Sequence, residues 1–416
     1  MTSPEFFLLL LNNIPLYIFS LLIVTCVSLL LSRICIGTII NGMMLHIYYL
    51  VASGSVAVFL FLTTRIDGIK FSHFIIIELS IAYYCFFLFN QAIISYDYCL
   101  WSLPREKVRK FLLIFFIVSG ALSLYSFFMQ TAEDSSRIEF MYISPSWAYI
   151  KHLVNLATPF GYFAPWLVLL KKLPRKYFIV SILLIILNSM ATGSKAGFIM
   201  ILPTTYLCIR EMPHFKTRIS AYISKLTLAV AGVIVIAGML ANLLLLNVDF
   251  FYVLNRTISS GDAIYLSYPL EDPTQFLNKV DILTKYHRGL SRFIGFQAGR
   301  DSETEFGVSM TRFVENDTAF RGPNARVSAF ALCNFGVLGS IPFLLYVFIV
   351  LYFQYALVRQ ITKFNSAIGM ILWPYLLFSL FSSAQDFSLS LTNLSFLLVF
   401  YLGHLSWRIW SKCATQ

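Results

Sequence analysis

Charge is scarce in this chain. Only 12% of its 416 residues are Asp, Glu, Lys or Arg, while 58% are hydrophobic, and the mean hydropathy is +0.75. Soluble globular domains carry roughly a quarter charged residues, so that class is excluded and lipid must be the solvent. Acidic residues are scarcer than basic ones, 20 against 31. The surplus calls for no nucleic acid, because the basic residues cluster in short loops between apolar runs, as they do on the cytoplasmic side of membrane proteins. Cysteine is sparse and scattered: Cys26, Cys35, Cys85, Cys99, Cys208, Cys333 and Cys413 show no metal-like spacing, and none falls between 248 and 327. That argues against a disulfide framework or a zinc site. The first residues lack a basic n-region and a small-residue cleavage site, so Phe6 to Leu31 is expected to be a retained span. No internal repeat of the inverted-transporter kind is visible.

What is present is a succession of apolar runs, several reaching the roughly 20 residues needed to cross a bilayer. Candidate spans are 6–31, 34–63, 71–95, 111–131, 153–170, 177–193, 196–209, 220–247, 328–354, 366–385 and 389–407. The expectation is an all-α polytopic bundle of about eleven helices, 1–416 forming one membrane domain with a large outer segment at 248–327. Four basic connections, "PREKVRK" (104–110), "KKLPRK" (171–176), "REMPHFKTR" (210–218) and "RIWSK" (408–412), are assigned to the cytoplasm. The segment 177–209 must then go out and return, which puts its turn "ATGSKAG" and Lys195 at the outer face. The same parity puts 132–152 and 248–327 outside. Orientation of the N-terminal third stays open, because Arg33 competes with the group Arg65, Asp67 and Lys70 for the inside. Within 248–327, Asp272 is a plausible cap for an amphipathic helix with Pro273 in its first turn and Phe276, Leu277, Val280 and Leu283 at helical spacing. After Gly289 an ordered loop is expected.

Two clusters have residue types suited to phosphate. In "KYHRGLSRFIGFQAGR", His287, Arg288, Arg292 and Arg300 join one imidazole to three fixed forks. A solvated face balanced by Asp301, Glu303 and Glu305 is the alternative. In "RFVENDTAFRGPNARV", Glu315, Asp317, Arg321, Asn324 and Arg326 precede a span and are placed at the water–lipid boundary. There arginines also snorkel to phospholipid phosphates, which is again the alternative. Glu78, Lys151, His152, Asp386 and His404 fall near span ends, where interfacial hydration accounts for them.

These residues resemble a family. A many-span bundle with one large outer segment, the turn Thr192, Gly193, Ser194, Lys195 and Gly197, and the run Gly322, Pro323, Asn324, then Asn334, Phe335, Gly336, Leu338 and Gly339, are similar to bacterial O-antigen polymerases (Wzy-type), relatives of the O-antigen ligases. Arg288 and Gly299 also match an arginine-x10-glycine spacing of such polymerases. Two departures stand out. Lys195 replaces the more usual arginine, and Pro323 precedes Asn324 where a ligase has histidine, which counts against the ligase.

The resemblance implies an enzyme of the bacterial inner membrane with its site facing the periplasm. It would join undecaprenyl-pyrophosphate-linked repeat units by glycosyl transfer, with no cofactor and no divalent metal, and a separate co-polymerase would set chain length. The leaving pyrophosphate gains charge in the transition state, which fixed cations can meet. Lys195, Arg288, Arg321 and Arg326, with Arg292 and Arg300 in reserve and Asn324 beside them, are the binding candidates. His287 is the first candidate for the base that deprotonates the acceptor hydroxyl, ahead of Asp317 and Glu315. The competing functions are an O-antigen ligase and a transporter or flippase of the same lipid-linked units.

Overall fold

The chain starts its first helix with a reciprocal cap: the Thr2 side chain accepts from the Glu5 amide, and the Glu5 carboxylate accepts from the Thr2 amide. In this computed structural model, residues 1–37, 43–102, 261–274, 306–316, 326–364 and 387–413 are described, with scattered positions in 106–128 and 174–183 and at 376 and 380. The helices are α1 (Ser3–Asn12), α2 (Ile14–Ile36), α3 (Met44–Leu62), α4 (Gly68–Ser102), α5 (Asp262–Ser267), α6 (Phe306–Glu315), α7 (Val327–Phe364) and α8 (Phe387–Cys413). No strand occurs among the described residues. Ile14–Ile36, Gly68–Ala92 and Val327–Ile361 are long and apolar enough to cross a membrane, and His46–Leu62 is a shorter apolar helix. We read the chain as an α-helical membrane protein.

The surface chemistry of α2 agrees with that reading. Its buried residues include Ser20, Ser28 and Ser32, whereas Ile18, Phe19, Leu22, Leu30 and Ile34 are exposed. Small residues facing inward and large apolar ones facing outward is the arrangement of a helix solvated by lipid. Val24 lies on the same inward row and meets Gly54 of α3 so closely that a Cβ at Gly54 would stand 2.7 Å from it.

The helices α2, α3 and α4 run up and down in turn. Tyr17 meets Phe59, Phe61 stacks on Phe71, His46 meets Phe86, and the Asn90 amide donates to the Cys35 carbonyl. The turn from α3 to α4, Thr63 to Asp67, is closed by the Arg65 amide donating to the Leu60 carbonyl, and Asp67 caps α4 by accepting from the Lys70 amide.

Several expected boundaries move. The expected span 6–31 is two helices, because Asn13 leaves helical geometry (φ −136°) and Pro15 opens a new first turn. The expected span 34–63 is interrupted after Gly37, a left-handed cap, and α3 begins at Met44. Residues 306–315, inside the expected loop, form α6, which buries Phe306, Met310 and Thr311 on one face. The Asp272 carboxylate accepts from the amide and hydroxyl of Thr274, as a capping residue does. The helix expected after it lies outside the described residues, as do 153–170, 196–209, 220–247 and most of 111–131, 177–193 and 366–385.

The most consequential difference concerns 328–354, expected as one span. Helical geometry breaks at Gly336 (φ 66°, ψ −172°). Phe330 and Phe343 would lie about 20 Å apart along an unbroken helix. Their ring centroids are 5.4 Å apart, and those of Phe335 and Phe343 are 5.0 Å apart. The first segment, 327–335, therefore folds back against the second. All seven residues from Val327 to Cys333 are buried, while Leu338, Ile341 and Leu345 beyond the break are exposed. Only the second segment has the lipid-facing surface of a crossing helix.

Candidate functional site

The folded-back segment of α7 begins at Arg326, whose side chain is only 1% exposed. A guanidinium so deep needs a counter-charge, and α4 provides it. Arg326 Nη2 lies 2.7 Å from Glu78 Oε2, and Glu78 is 3% exposed. The same nitrogen donates to the Ser53 hydroxyl of α3 at 2.6 Å, and Ser53 passes its own proton to the Tyr49 carbonyl at 2.8 Å. Ser328, in the first turn of α7, donates to the other carboxylate oxygen of Glu78 at 2.5 Å. Glu78 thus receives a fork nitrogen and a hydroxyl at the start of a helix, whose dipole also favours an anion. Glu78 is ten residues past Gly68, about 15 Å along α4, and Ser53 sits midway along α3. The pair therefore lies well inside the bundle.

A second polar chain holds the segment near its break. The Ser340 hydroxyl donates to the Gly336 carbonyl at 2.5 Å, so it must accept from His73 Nε2, 2.8 Å away. His73 Nδ1 is then left to accept from the Tyr268 hydroxyl at 3.0 Å. Tyr268 follows α5, which packs into the bundle with Ala263 to Tyr268 all buried. It does so because Gly261 lets the backbone meet α3: a Cβ there would stand 2.6 Å from Val56 and 2.9 Å from the Ala52 carbonyl. Burial first, and the nearby Glu78 charge second, push the Tyr268 phenol well above its usual value. It serves as a neutral hydroxyl.

Donors outnumber acceptors around Arg326. Its Nε and Nη1 have no hydrogen-bond partner among the described residues. Buried N–H groups of a cation left without acceptors are costly, so the arrangement suits an acceptor oxygen such as that of a phosphate.

Among the candidate catalytic and binding residues, Arg326 and Glu315 are described. Arg326, expected at the water–lipid boundary, is inside the protein. Glu315 is in a separate cluster: it accepts from the Ser3 amide at 3.0 Å and from the Ser3 hydroxyl, which also meets the Tyr265 hydroxyl at 3.0 Å. Burial raises the Tyr265 phenol, and Asp262 raises it further. Lys195, His287, Arg288, Arg292, Arg300, Asp317, Arg321 and Asn324 lie outside the described residues. Glu78, expected to be explained by interfacial hydration, is instead the counter-charge of Arg326. Sequence reasoning did not single out Ser53, His73, Ser328 or Ser340. The available signal was a carboxylate within an apolar run and an arginine abutting another, which charge neutrality in lipid tends to pair.

No protein-family model, no curated protein and no solved structure matches the chain.

Proposed function

We propose that this protein is a glycosyltransferase that polymerises undecaprenyl-pyrophosphate-linked repeat units of O-antigen or a similar polysaccharide at the outer face of the bacterial inner membrane, without a metal. The observation that carries this reading is the run from Gly322 to Gly339. Its sequence resembles that of O-antigen polymerases, and within it stand the buried Arg326, with N–H groups that have no partner among the described residues, and the break at Gly336.

In the proposed reaction the acceptor hydroxyl oxygen attacks the anomeric carbon of the donor sugar. The bond from that carbon to the pyrophosphate oxygen breaks, and the hydroxyl proton passes to a base. Charge grows on the departing oxygen, and Lys195, Arg288, Arg321 and Arg326 are the cations that would meet it, with Arg292, Arg300 and Asn324 in support. His287 remains the first candidate base, with Asp317 second. Glu315 ranks behind them, because its carboxylate is already engaged by Ser3.

Purified protein supplied with synthetic undecaprenyl-pyrophosphate repeat units, in the presence of a chelator, is expected to yield longer glycans on a gel. Unextended units under those conditions, or extension that requires a divalent ion, count against the reading. A transporter of the same lipid-linked units is the second reading, favoured by the broken α7 and by a charged pair lying between helices. It predicts translocation of a labelled lipid-linked unit across proteoliposomes with no change in glycan length.

A further inference from the structure

Arg326 is held by a single nitrogen. Nη2 spends its two protons on Glu78 and Ser53, while Nε and Nη1 have no partner among the described residues. A guanidinium whose only duty was to neutralise Glu78 would be expected to face the carboxylate with two parallel N–H groups. Here the second carboxylate oxygen is taken by Ser328 instead. The effect is to fix the cation in place while keeping most of its donors unspent.

We propose that Glu78 is a positioning residue: it fixes Arg326 at the start of the folded-back segment so that Nε and Nη1 are presented to a phosphate oxygen of the lipid-linked substrate. This rests on the polymerase reading and adds to it a residue that itself touches no substrate. Glu78 acts through Arg326 alone, and the Ser328 hydroxyl keeps the carboxylate from closing the fork.

The test separates a working charge from a structural pair. Three proteins are compared in the elongation assay: wild type, Glu78→Gln and the double variant Glu78→Leu with Arg326→Met, in which an apolar pair replaces the ionic one. Apolar replacement of a buried pair preserves folding where removal of one partner does not. Folding of the segment is read independently from Cys333, which is 1% exposed in it, by maleimide labelling followed by peptide mass analysis.

The double variant is expected to keep Cys333 protected and to lose elongation. Glu78→Gln is expected to lower kcat/KM roughly tenfold or more, the scale of one charge-assisted hydrogen bond. Wild-type elongation by the double variant, or unchanged elongation by Glu78→Gln, overturns the proposal and makes the pair a structural one. Should Glu78→Gln expose Cys333, the double variant alone decides. Absence of elongation by the wild type overturns the polymerase reading itself.

Discussion

Gly336 occupies a backbone region that side chains other than glycine's scarcely enter. Open space surrounds the position, so a methyl group there meets nothing and the cost of substitution is purely conformational. Gly336→Ala is expected to destabilise the protein by about 1–3 kcal/mol, seen as a lower unfolding midpoint in detergent; an unchanged midpoint would contradict the break. At Tyr268 the prediction concerns pH. Its folded-state phenol is raised, so its contribution to stability is complete below the ordinary value of 10.0 and declines as pH climbs beyond it. Tyr268→Phe should flatten the alkaline part of the stability profile, and an equally steep fall in the variant would locate the loss elsewhere. Arg326 was legible as a residue of interest because an arginine abutted an apolar run. Its partner was not, since Glu78 lies 248 residues away and hydropathy carries no pairing information.

For the helices, legibility followed the hydrophobic pattern and failed where backbone geometry decides. The expected span 71–95 lies within α4, and 389–407 within α8. The fold-back of α7 was invisible because "VSAFALCNFGVLGSIPF" is apolar on both sides of Gly336, so a window average sees one stretch. The burial of α5 was invisible for the opposite reason: a six-residue piece inside a mixed segment has too little length to register. Its docking depends on a missing side chain. Gly261→Val should displace α5 from α3, because one of the contacts is the Ala52 carbonyl, which cannot rotate away. Increased protease cutting within 261–274 would report it, and an unchanged digest would refute the contact. The α2–α3 contact is softer, since Val24 is a side chain. Gly54→Ala should destabilise the protein, and Val24→Ala should restore it in combination; strictly additive losses in a double-mutant cycle would rule out the direct contact.

For the molecule as a whole, the contacts settle a relation that the basic residues left open. The Lys70 ammonium donates to the Leu270 carbonyl at 2.5 Å, so the α3–α4 turn shares an end with 261–274. Arg33, in the last turn of α2, lies at the other end. The second segment of α7 runs alongside α4, with Ser340 at His73 and Phe348 at Tyr84, and so carries Lys363 to that same end as Arg33. Continuing in the same sense, α8 meets Phe343 and Tyr346 through Phe387, and Gln354 through Ser390. If the positive-inside bias holds, Arg65→Cys and Glu271→Cys should label with an impermeant reagent from outside intact cells, and Lys363→Cys should not. Labelling of Arg65→Cys and Glu271→Cys from opposite sides would break the arrangement.

The outward-facing α2 also has a consequence for how the protein meets its bilayer. Only 11% of its most apolar window is covered by protein, against 50% for the corresponding window of α4. Its 23 residues reach about 35 Å, several ångströms beyond an average hydrocarbon core. A helix longer than the core, with one broad side in lipid, meets a thinner membrane by tilting. Lipid chain length is therefore expected to act on this protein through the lipid-facing side of α2.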